Sequence, residues 1–583
     1  MNAPRADRGR SGTTAGATAY LLVNGRIATM DAAVPSPQAL LIDGERVACI
    51  GSRRDVEANA AKLPRVDVID LRSRCVIPGL IDMHAHLDRE GLKRRHLAMS
   101  GLRSRRDVLD RIGTLAGSME QGAWLVTAPL GEPPFYFFDD PGHESDLYPT
   151  RWELDEVAPD RPVYIRPILG FWRWSPWPEC LVSAANSVAL DAVGLTDDTA
   201  PPTPTVELER DPAGRLTGRF FERTTASILE LTHFSKAFRY ENVDRLQALD
   251  VSQRVALSTA TTTIFEGHGV EPAVHRAYAA LHRAGRMAIR AELVFSPDWS
   301  NSAVAPNELI DRELGWLAGN GRGDDVLRMR GIFINPLVTE DDRVRSKTGY
   351  TGMAGYHFGS GLSETTTLDL LKAMARAGIR AVGLTPVLFS LFDRVAEDVG
   401  PLHWLVQHCG HLTRRNSAIA MRHNIGLSFL PVEACYKQAA KLRDDPSHVA
   451  DLMPLRRLLD AGVPVSIASD NIPPSLFFAI WCCLARQDYR GQVLPDPEGP
   501  ISRAEALRIA TLDAARCLGR DDSLGSLTPG KYADLAVLDR DFFDCPLGDI
   551  PKIEALATMV CGRWRYGDPV NLSQTPGAVV GTC

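Results

Sequence analysis

The chain has 583 residues, 45% of them hydrophobic and 23% charged, with a formal net charge of −7. This composition is typical of a globular protein with a large core, and a negative charge without a basic stripe argues against a nucleic-acid partner. No apolar stretch is long enough to cross a bilayer, so we expect no membrane partner.

The first 18 residues contain arginine, glycine and alanine but lack the apolar segment of a secretory signal. We expect residues 1–18 to form a disordered tail and residues 571–583 to form a second tail. The eleven cysteines show no CxxC motif and no regular spacing. They therefore predict free thiols in a reducing cytoplasm and not a disulfide framework.

Residues 19–75 have the pattern of short strands, with Asn24-Gly25 and Asp43-Gly44 as hairpin turns. Residues 525–570 show the same short apolar runs. Neither segment has enough apolar surface to stand alone. We therefore expect one β-sandwich domain built from both ends of the chain.

Residues 76–88 read Val-Ile-Pro-Gly-Leu-Ile-Asp-Met-His-Ala-His-Leu-Asp and predict a buried strand that ends in two histidines. Residues two apart in a strand point the same way, so His84 and His86 can offer two imidazoles to one divalent metal. Such a pair alone is a weak signal, because solvated histidines at strand ends are common. Asp470, at the end of a second apolar strand far downstream, strengthens it.

Eight apolar strands with helical patterns between several of them predict a (β/α)8 barrel over residues 76–524. The strands are expected at 76–86, 261–268, 289–295, 331–335, 379–384, 403–408, 425–430 and 463–470. The active site of such a barrel lies at the carboxyl ends of its strands. Six candidate metal ligands fall there, namely His84, His86, Glu266, His268, His408 and Asp470.

A long insertion at 100–245 separates the first two barrel strands and is rich in aromatic residues. Its tryptophan- and proline-rich part has no helical period and is more typical of a lid or pocket wall. Trp172 and Trp174 are therefore candidates for substrate binding. Arg166 and Arg173 could bind a substrate carboxylate, although a surface role is an open alternative for each.

Motifs along nearly the whole length resemble those of the amidohydrolase superfamily, and more narrowly of its YtcJ-like branch. The resemblance rests on Pro-Gly-Leu-Ile-Asp-Met-His-Ala-His at 78–86, on segments 186–190, 214–218, 407–408 and 459–470, and on segment 525–538. It implies the same barrel and the same sandwich of chain ends. It also implies a metal-dependent hydrolase with a divalent ion, for which zinc is expected.

The resemblance implies that Asp470 both contacts the metal and accepts a proton from the attacking water. The alternative is that Asp470 only caps the helix that follows. His408 matches the histidine of the sixth strand, where it would bind the metal or stabilise the developing oxyanion. Gln407 stands where relatives usually carry glutamate.

Two ligands that the family usually has are missing, since Phe333 stands near the position of the bridging lysine and Gly383 at that of the fifth-strand histidine. Glu266 and His268, two apart on the second strand, could replace them, or the pair could be structural. We therefore expect one tightly bound ion in preference to a bridged pair.

The predicted activity is hydrolysis of a C–N bond, amide-type but not peptide, in a small and possibly aromatic substrate. A decarboxylase or other lyase is the alternative on the same barrel. Deamination is disfavoured because no histidine with a nearby glutamate follows the fifth strand. The missing ligands also leave a catalytically silent, ligand-binding relative open, and a homo-oligomer is possible.

Overall fold

The computed structural model describes the whole chain except residues 1–18, 137–143, 169–179, 225, 239, 298–307, 309, 311–313, 320, 337–338, 347–361, 385, 440–445, 570–571 and 573–583. No helix within the described ranges has the length and apolar character needed to cross a membrane. The described cysteines are all free thiols.

The strands are β1 (Ala19–Val23), β2 (Arg26–Ile27), β3 (Ala39–Asp43), β4 (Arg46–Gly51), β5 (Val66–Asp70), β6 (Cys75–Pro78), β7 (Leu80–Asp82), β8 (Leu125–Val126), β9 (Val163–Ile165), β10 (Leu181–Ala185), β11 (Val206–Arg210), β12 (Leu216–Glu222), β13 (Thr261–Val270), β14 (Arg290–Phe295), β15 (Arg322–Gly323), β16 (Leu327–Phe333), β17 (Arg380–Gly383), β18 (Leu405–Val406), β19 (Gly426–Phe429), β20 (Val465–Ile467), β21 (Leu535–Leu538), β22 (Ala555–Val560) and β23 (Arg563–Gly567).

The helices are α1 (Arg53–Ala60), α2 (Leu87–Lys93), α3 (Arg105–Ser118), α4 (Glu144–Leu147), α5 (Arg151–Val157), α6 (Ser187–Val193), α7 (Ile228–Leu231), α8 (Asn242–Ser258), α9 (Pro272–Arg283), α10 (Glu340–Ser346), α11 (Glu364–Arg376), α12 (Val387–Val399), α13 (Arg414–His423), α14 (Pro431–Glu433), α15 (Leu455–Asp460), α16 (Leu476–Ala485), α17 (Arg503–Ile509) and α18 (Leu512–Leu518). A single π-helical turn, Ala434–Gln438, continues α14.

Two small sheets lie beside the barrel, the first built from the N-terminal segment and the second from both ends of the chain. One has the strand order β4-β3-β1-β5, and the other has the order β2-β6-β21-β22-β23. A shared core joins them, in which Leu22 and Leu40 pack with Leu535 and Met559. Strand β6 runs almost directly into β7, so this pair of sheets connects to the barrel without a linker.

Eight parallel strands form the central barrel in the order β20-β19-β18-β17-β16-β14-β13-β7. Each strand pairs with the next one along the chain, with β15 attached at the edge of β16. The predicted (β/α)8 fold class is confirmed. Several strands are shorter than predicted; segment 463–470, for example, is extended only over Val465–Ile467, because the chain turns before Asp470.

The insertion between β7 and β13 folds around a sheet of its own, with the order β11-β12-β10-β9-β8. Its core includes Tyr164, whose ring stacks on Phe234 with centroids 4.2 Å apart. Part of its aromatic content is thus used for packing.

Candidate metal centre

The first and last barrel strands are tied together directly beneath the candidate site. The buried carboxylate of Asp82, at the end of β7, accepts hydrogen bonds from the backbone of His84 (3.2 Å) and of Ser469 (3.0 Å), and from the Ser469 hydroxyl (2.5 Å). The backbone amide of Asp470 in turn donates to the His84 carbonyl at 2.8 Å. These bonds fix the two segments that carry the candidate ligands relative to each other.

Left-handed backbone at two of the predicted residues turns the chain sharply at the strand ends. His408 has a φ of 56° and Asp470 a φ of 51°, a conformation that costs energy for residues other than glycine and clusters at functional sites. Asn471, also left-handed, accepts a hydrogen bond from the His86 amide at 2.6 Å. The strained turns are thus anchored to the His84–His86 segment.

Three imidazole rings each have a polar partner at the Nδ1 atom. His84 Nδ1 lies 2.9 Å from the Gln407 side-chain oxygen, and His86 Nδ1 lies 3.0 Å from a carboxylate oxygen of Glu266. His408 Nδ1 lies 3.3 Å from a carboxylate oxygen of Glu433. Because all three partners offer hydrogen-bond acceptor atoms, the arrangement favours, for each neutral ring, the tautomer with its proton on Nδ1 and a lone pair on Nε2.

The Nε2 atom of His84 lies between those of the other two rings. His84 Nε2 lies 3.1 Å from His86 Nε2 and 3.2 Å from His408 Nε2. A carboxylate oxygen of Asp470 lies 3.1 Å from His86 Nε2 and 3.6 Å from His84 Nε2. Lone pairs and a carboxylate at these separations repel one another unless a cation lies among them, so this donor set fits a divalent metal.

The electrostatics of the pocket keep most of these rings neutral. Burial, followed by nearby positive groups, lowers the pKa of His84, His86 and His268 well below the usual value. A neutral imidazole is the form that binds metal. His408 differs, since burial lowers its pKa but the hydrogen bond and charge of Glu433 outweigh that effect and leave the pKa raised.

A bulge in β13 brings consecutive residues toward the same centre. The pairing of β13 with β14 shifts register between Glu266 and Val270, which is where His268 and two glycines lie. A ligand atom of His268 lies within 4.8 Å of those of His84 and His86, and its ring centroid is 4.5 Å from that of His84. His268 therefore joins the imidazole cluster.

Glu266 lies on the outer side of His86. Its carboxylate accepts from His86 Nδ1, from the Leu87 amide at 3.0 Å and from the Tyr278 hydroxyl at 2.6 Å. Three donors thus hold it against the Nδ1 edge, while the Nε2 edge of His86 faces His84 and Asp470. The structure places Glu266 beside the cluster, and its contacts are those of a group that orients a ligand.

The two positions where family ligands are missing are closed in the fold. Phe333, at the end of β16, is buried with its ring 5.8 Å from that of His268. A Cβ atom on Gly383 would lie 2.3 Å from the Ile334 carbonyl and from Leu388. The space for a fifth-strand histidine is thus filled by neighbouring residues.

Of the four substrate-binding candidates in the insertion, Arg166 lies within the described residues. Arg166 is buried and forms two hydrogen bonds with the Glu230 carboxylate, at 2.7 and 3.0 Å, so its charge is balanced inside the insertion. Trp172, Arg173 and Trp174 lie outside the described residues.

Sequence analysis did not identify three residues that support the histidine cluster from outside it. Glu433 follows β19 in a short helix, Tyr278 lies on α9, and Asn471 follows Asp470. None of them is part of a strand-end pattern. The glycines on both sides of His268 were the one available signal for the bulge, since glycine inside a strand often marks one.

The fold and the site define a metal-dependent barrel hydrolase. The family model described as "Amidohydrolase family" matches residues 67–566. The chain therefore belongs to the amidohydrolase family, as the motifs predicted, and it is an enzyme that hydrolyses carbon–nitrogen bonds.

Relatives of known name match the chain over different lengths. An N-substituted formamide deformylase of Arthrobacter pascens is 27% identical over 94% of this chain and 98% of its own length. YtcJ of Bacillus subtilis is 29% identical over 29% of this chain and 28% of its own length. The crystal structure of an uncharacterized metal-dependent hydrolase from Pyrococcus furiosus covers 90% of this chain and all of its own with a TM-score of 0.66 and 18% identity, a likeness of fold.

Proposed function

We propose that the chain hydrolyses the amide bond of small N-substituted amides, with N-substituted formamides as the first candidates. The convergence of three Nε2 lone pairs and the Asp470 carboxylate carries the proposal. The substrate class rests on similarity to the Arthrobacter deformylase, which extends over nearly the full length of both chains.

One zinc ion is the proposed cofactor, held by His84, His86 and Asp470, with His268 and His408 at the same cluster. His84, His86 and Asp470 have ligand atoms 3.1 to 3.6 Å apart. His268 groups with His84 and His86, and His408 groups with His84 and Asp470, each within 4.8 Å. We assign Glu266 to the outer side of His86, since its carboxylate already accepts three hydrogen bonds. This assignment differs from the sequence-based hypothesis that Glu266 replaces the missing anionic ligand.

A divalent metal supplies Lewis-acid activation of water and of the scissile carbonyl. Asp470 is the proposed proton acceptor, and burial raises the pKa of its carboxyl group, which makes the carboxylate a stronger base. Having taken the proton, Asp470 can return it to the departing amine nitrogen. His408, paired with Glu433, would complete the metal site or stabilise charge on the carbonyl oxygen.

An aromatic wall borders this end of the barrel and suits an aromatic substituent. Phe135 of the insertion contacts Tyr436 and Phe478, with centroid distances of 5.4 and 5.7 Å. Tyr436 lies three residues after Glu433, which holds His408, and all three rings are only partly buried. Trp172, Trp174 and Arg173 remain proposed contributors.

The test uses the zinc-loaded enzyme with N-benzylformamide, N-butylformamide and N-benzylacetamide, and measures both products. We expect equimolar amine and carboxylate, and no turnover after metal removal. Release of carbon dioxide from a carboxylic acid substrate in place of amide hydrolysis would favour the lyase alternative. Binding without turnover of any amide would favour the silent relative.

The cytoplasmic location and a homo-oligomeric state are also parts of the proposal. The free thiols among the described cysteines are compatible with a reducing compartment.

A further inference from the structure

A cavity lies at the face of the barrel opposite the metal centre. Its volume is about 480 Å³, within the usual range for small-molecule sites. The first residues of β17 and β19 and the end of α18 line it. Because the strands are parallel, their amino ends share one face of the barrel, whereas the metal cluster lies at their carboxyl ends.

Arg380, the first residue of β17, lines this cavity with an incompletely satisfied guanidinium. Its Nη1 donates to the Cys517 carbonyl at 3.1 Å, which is its one hydrogen bond to the described part of the chain. No carboxylate among the described residues forms an ion pair with it. A guanidinium has five N–H donors, so most of its donor capacity remains available.

The surrounding charges leave an excess of positive charge at this face. Arg330 binds the buried Glu292 at 2.6 Å, and Arg520 binds Glu292 and Asp325, each at 2.9 Å. Arg516, which also lines the cavity, pairs with Asp513 at 2.8 Å, whereas Arg380 has no carboxylate partner among the described residues. Burial, together with the charge of Arg330, lowers the pKa of Arg380 to about 10. An anion in the cavity would relieve this imbalance.

The other residues that line the cavity suit a ligand larger than a bare ion. Trp404 and Leu518 are buried apolar residues, and Val399 at the edge is 40% exposed. Asn424 lies 3.3 Å from His403 Nδ1 and can donate to it, which leaves the His403 Nε2 proton available to a ligand. The cavity therefore offers cationic donors beside an apolar surface.

We propose that this cavity binds a small organic anion, a carboxylate or a phosphate monoester with an apolar body, through the Arg380 guanidinium. The anionic group contacts Arg380 and the apolar body lies against Val399 and the edge of Trp404. The site is separate from the metal centre, so its test is independent of the proposed function.

Calorimetric titration of the zinc-loaded full-length enzyme tests the site. The probes are benzoate, phenyl phosphate, inorganic phosphate and the neutral benzyl alcohol, at constant ionic strength. We expect saturable binding of one equivalent of benzoate or phenyl phosphate, and the stronger of the two identifies the headgroup. Binding of benzyl alcohol as tight as that of benzoate, or of no probe at all, would overturn the proposal.

Arg380→Met keeps the side-chain length and removes the charge. We expect at least about a tenfold loss of affinity, because hydrogen bonds to charged groups are among the strongest. Arg394→Met is the matched control, since Arg394 pairs with Glu364 on the outer surface and does not line the cavity. An unchanged affinity in Arg380→Met would contradict the proposal.

A second variant covers the case in which Arg380→Met does not fold. Val399→Glu places a negative charge at the edge of the cavity at an exposed position, and Val399→Gln is its neutral control. We expect the glutamate variant to lose anion binding and the glutamine variant to retain it, both with unchanged kcat. Equal affinity in these two variants would also overturn the site.

Discussion

The side chain of Gln407 determines which nitrogen of His84 faces the metal cluster. Its amide nitrogen donates to the Met83 carbonyl at 2.7 Å, so its oxygen must face His84 Nδ1, 2.9 Å away. The proton of His84 is thereby held on Nδ1 and the lone pair on Nε2. A neutral amide thus orients the ring of His84, as a carboxylate orients the rings of His86 and His408.

Replacing Gln407 by leucine removes the acceptor for the His84 proton without changing the cluster itself. Loss of such an outer partner costs about 10- to 100-fold in metal affinity, and we expect a loss in that range. Zinc competition with a chromophoric chelator measures it. Gln407→Glu retains an acceptor and should keep most of the affinity; equal affinities for the leucine variant and the wild type would contradict this role.

Gly267 packs directly against the His84–Gln407 hydrogen bond. A Cβ atom at this position would lie 2.0 Å from His84 Nδ1 and 2.4 Å from the Gln407 oxygen. We therefore expect Gly267→Ala to release zinc while the barrel remains folded, as metal analysis and circular dichroism would show.

The control for that variant is Gly117→Ala, because nothing lies within 4 Å of a Cβ atom there. Gly117 is part of α3, where alanine is the better helix former. This control should retain full zinc content. Stoichiometric zinc and normal turnover in Gly267→Ala would show that the His84–Gln407 geometry is not required.

Asp470→Asn keeps the size of the side chain and removes its capacity to accept a proton. Loss of a general base lowers the rate by about 10²- to 10⁴-fold, and we expect kcat to fall in that range with zinc still bound by the histidines. Steady-state kinetics with metal analysis on the same sample measures both. A loss under about threefold would mean that Asp470 serves only as a turn or cap residue.

Glu222 predicts a pH effect on stability that is independent of the metal centre. Burial raises its pKa from 4.5 to about 7, although hydrogen bonds from Ser227, Ile228 and Leu229 oppose the shift. The folded state binds this proton more tightly than the unfolded state. The contribution of protonated Glu222 to the free energy of unfolding is therefore lost as pH rises from about 4.5 to 7.

Glu222→Gln should therefore gain stability relative to the wild type as pH rises through that window, as urea unfolding at pH 5 and pH 7.5 would show. Glu209 is the control of opposite sign, since burial raises its pKa but hydrogen bonds from Arg219 and Thr217 outweigh this and lower it. The pKa window of Glu209 therefore lies below 4.5, and Glu209→Gln should keep a nearly constant stability relative to the wild type between pH 5 and pH 7.5. A pH-independent difference for Glu222→Gln would contradict the assignment.

The strand-end residues of the site could be predicted from sequence because the barrel places the carboxyl ends of its strands together. His84, His86 and Asp470 each follow an apolar run, and parallel pairing alone brings such ends to one face. His408 also lies at a predicted strand end, and the family resemblance gave it a role. No detail of side-chain packing was needed for these positions.

The orientation of the ligands could not be predicted in this way. Glu433 and Gln407 act through side-chain hydrogen bonds whose geometry depends on loops and on a left-handed turn at His408. The bulge in β13 breaks the two-residue alternation on which the reading of Glu266 and His268 relied. Arg166 illustrates the same limit, since its partner Glu230 lies 64 residues away.

A crystal structure of the zinc-loaded enzyme, with anomalous data collected at the zinc edge, tests the central claim most directly. The account predicts one strong peak about 2.0–2.1 Å from Nε2 of both His84 and His86, with an Asp470 oxygen as a further ligand and Glu266 still bonded to His86 Nδ1. Coordination through Nδ1, a peak away from these two histidines, or Glu266 bound directly to the ion would contradict it.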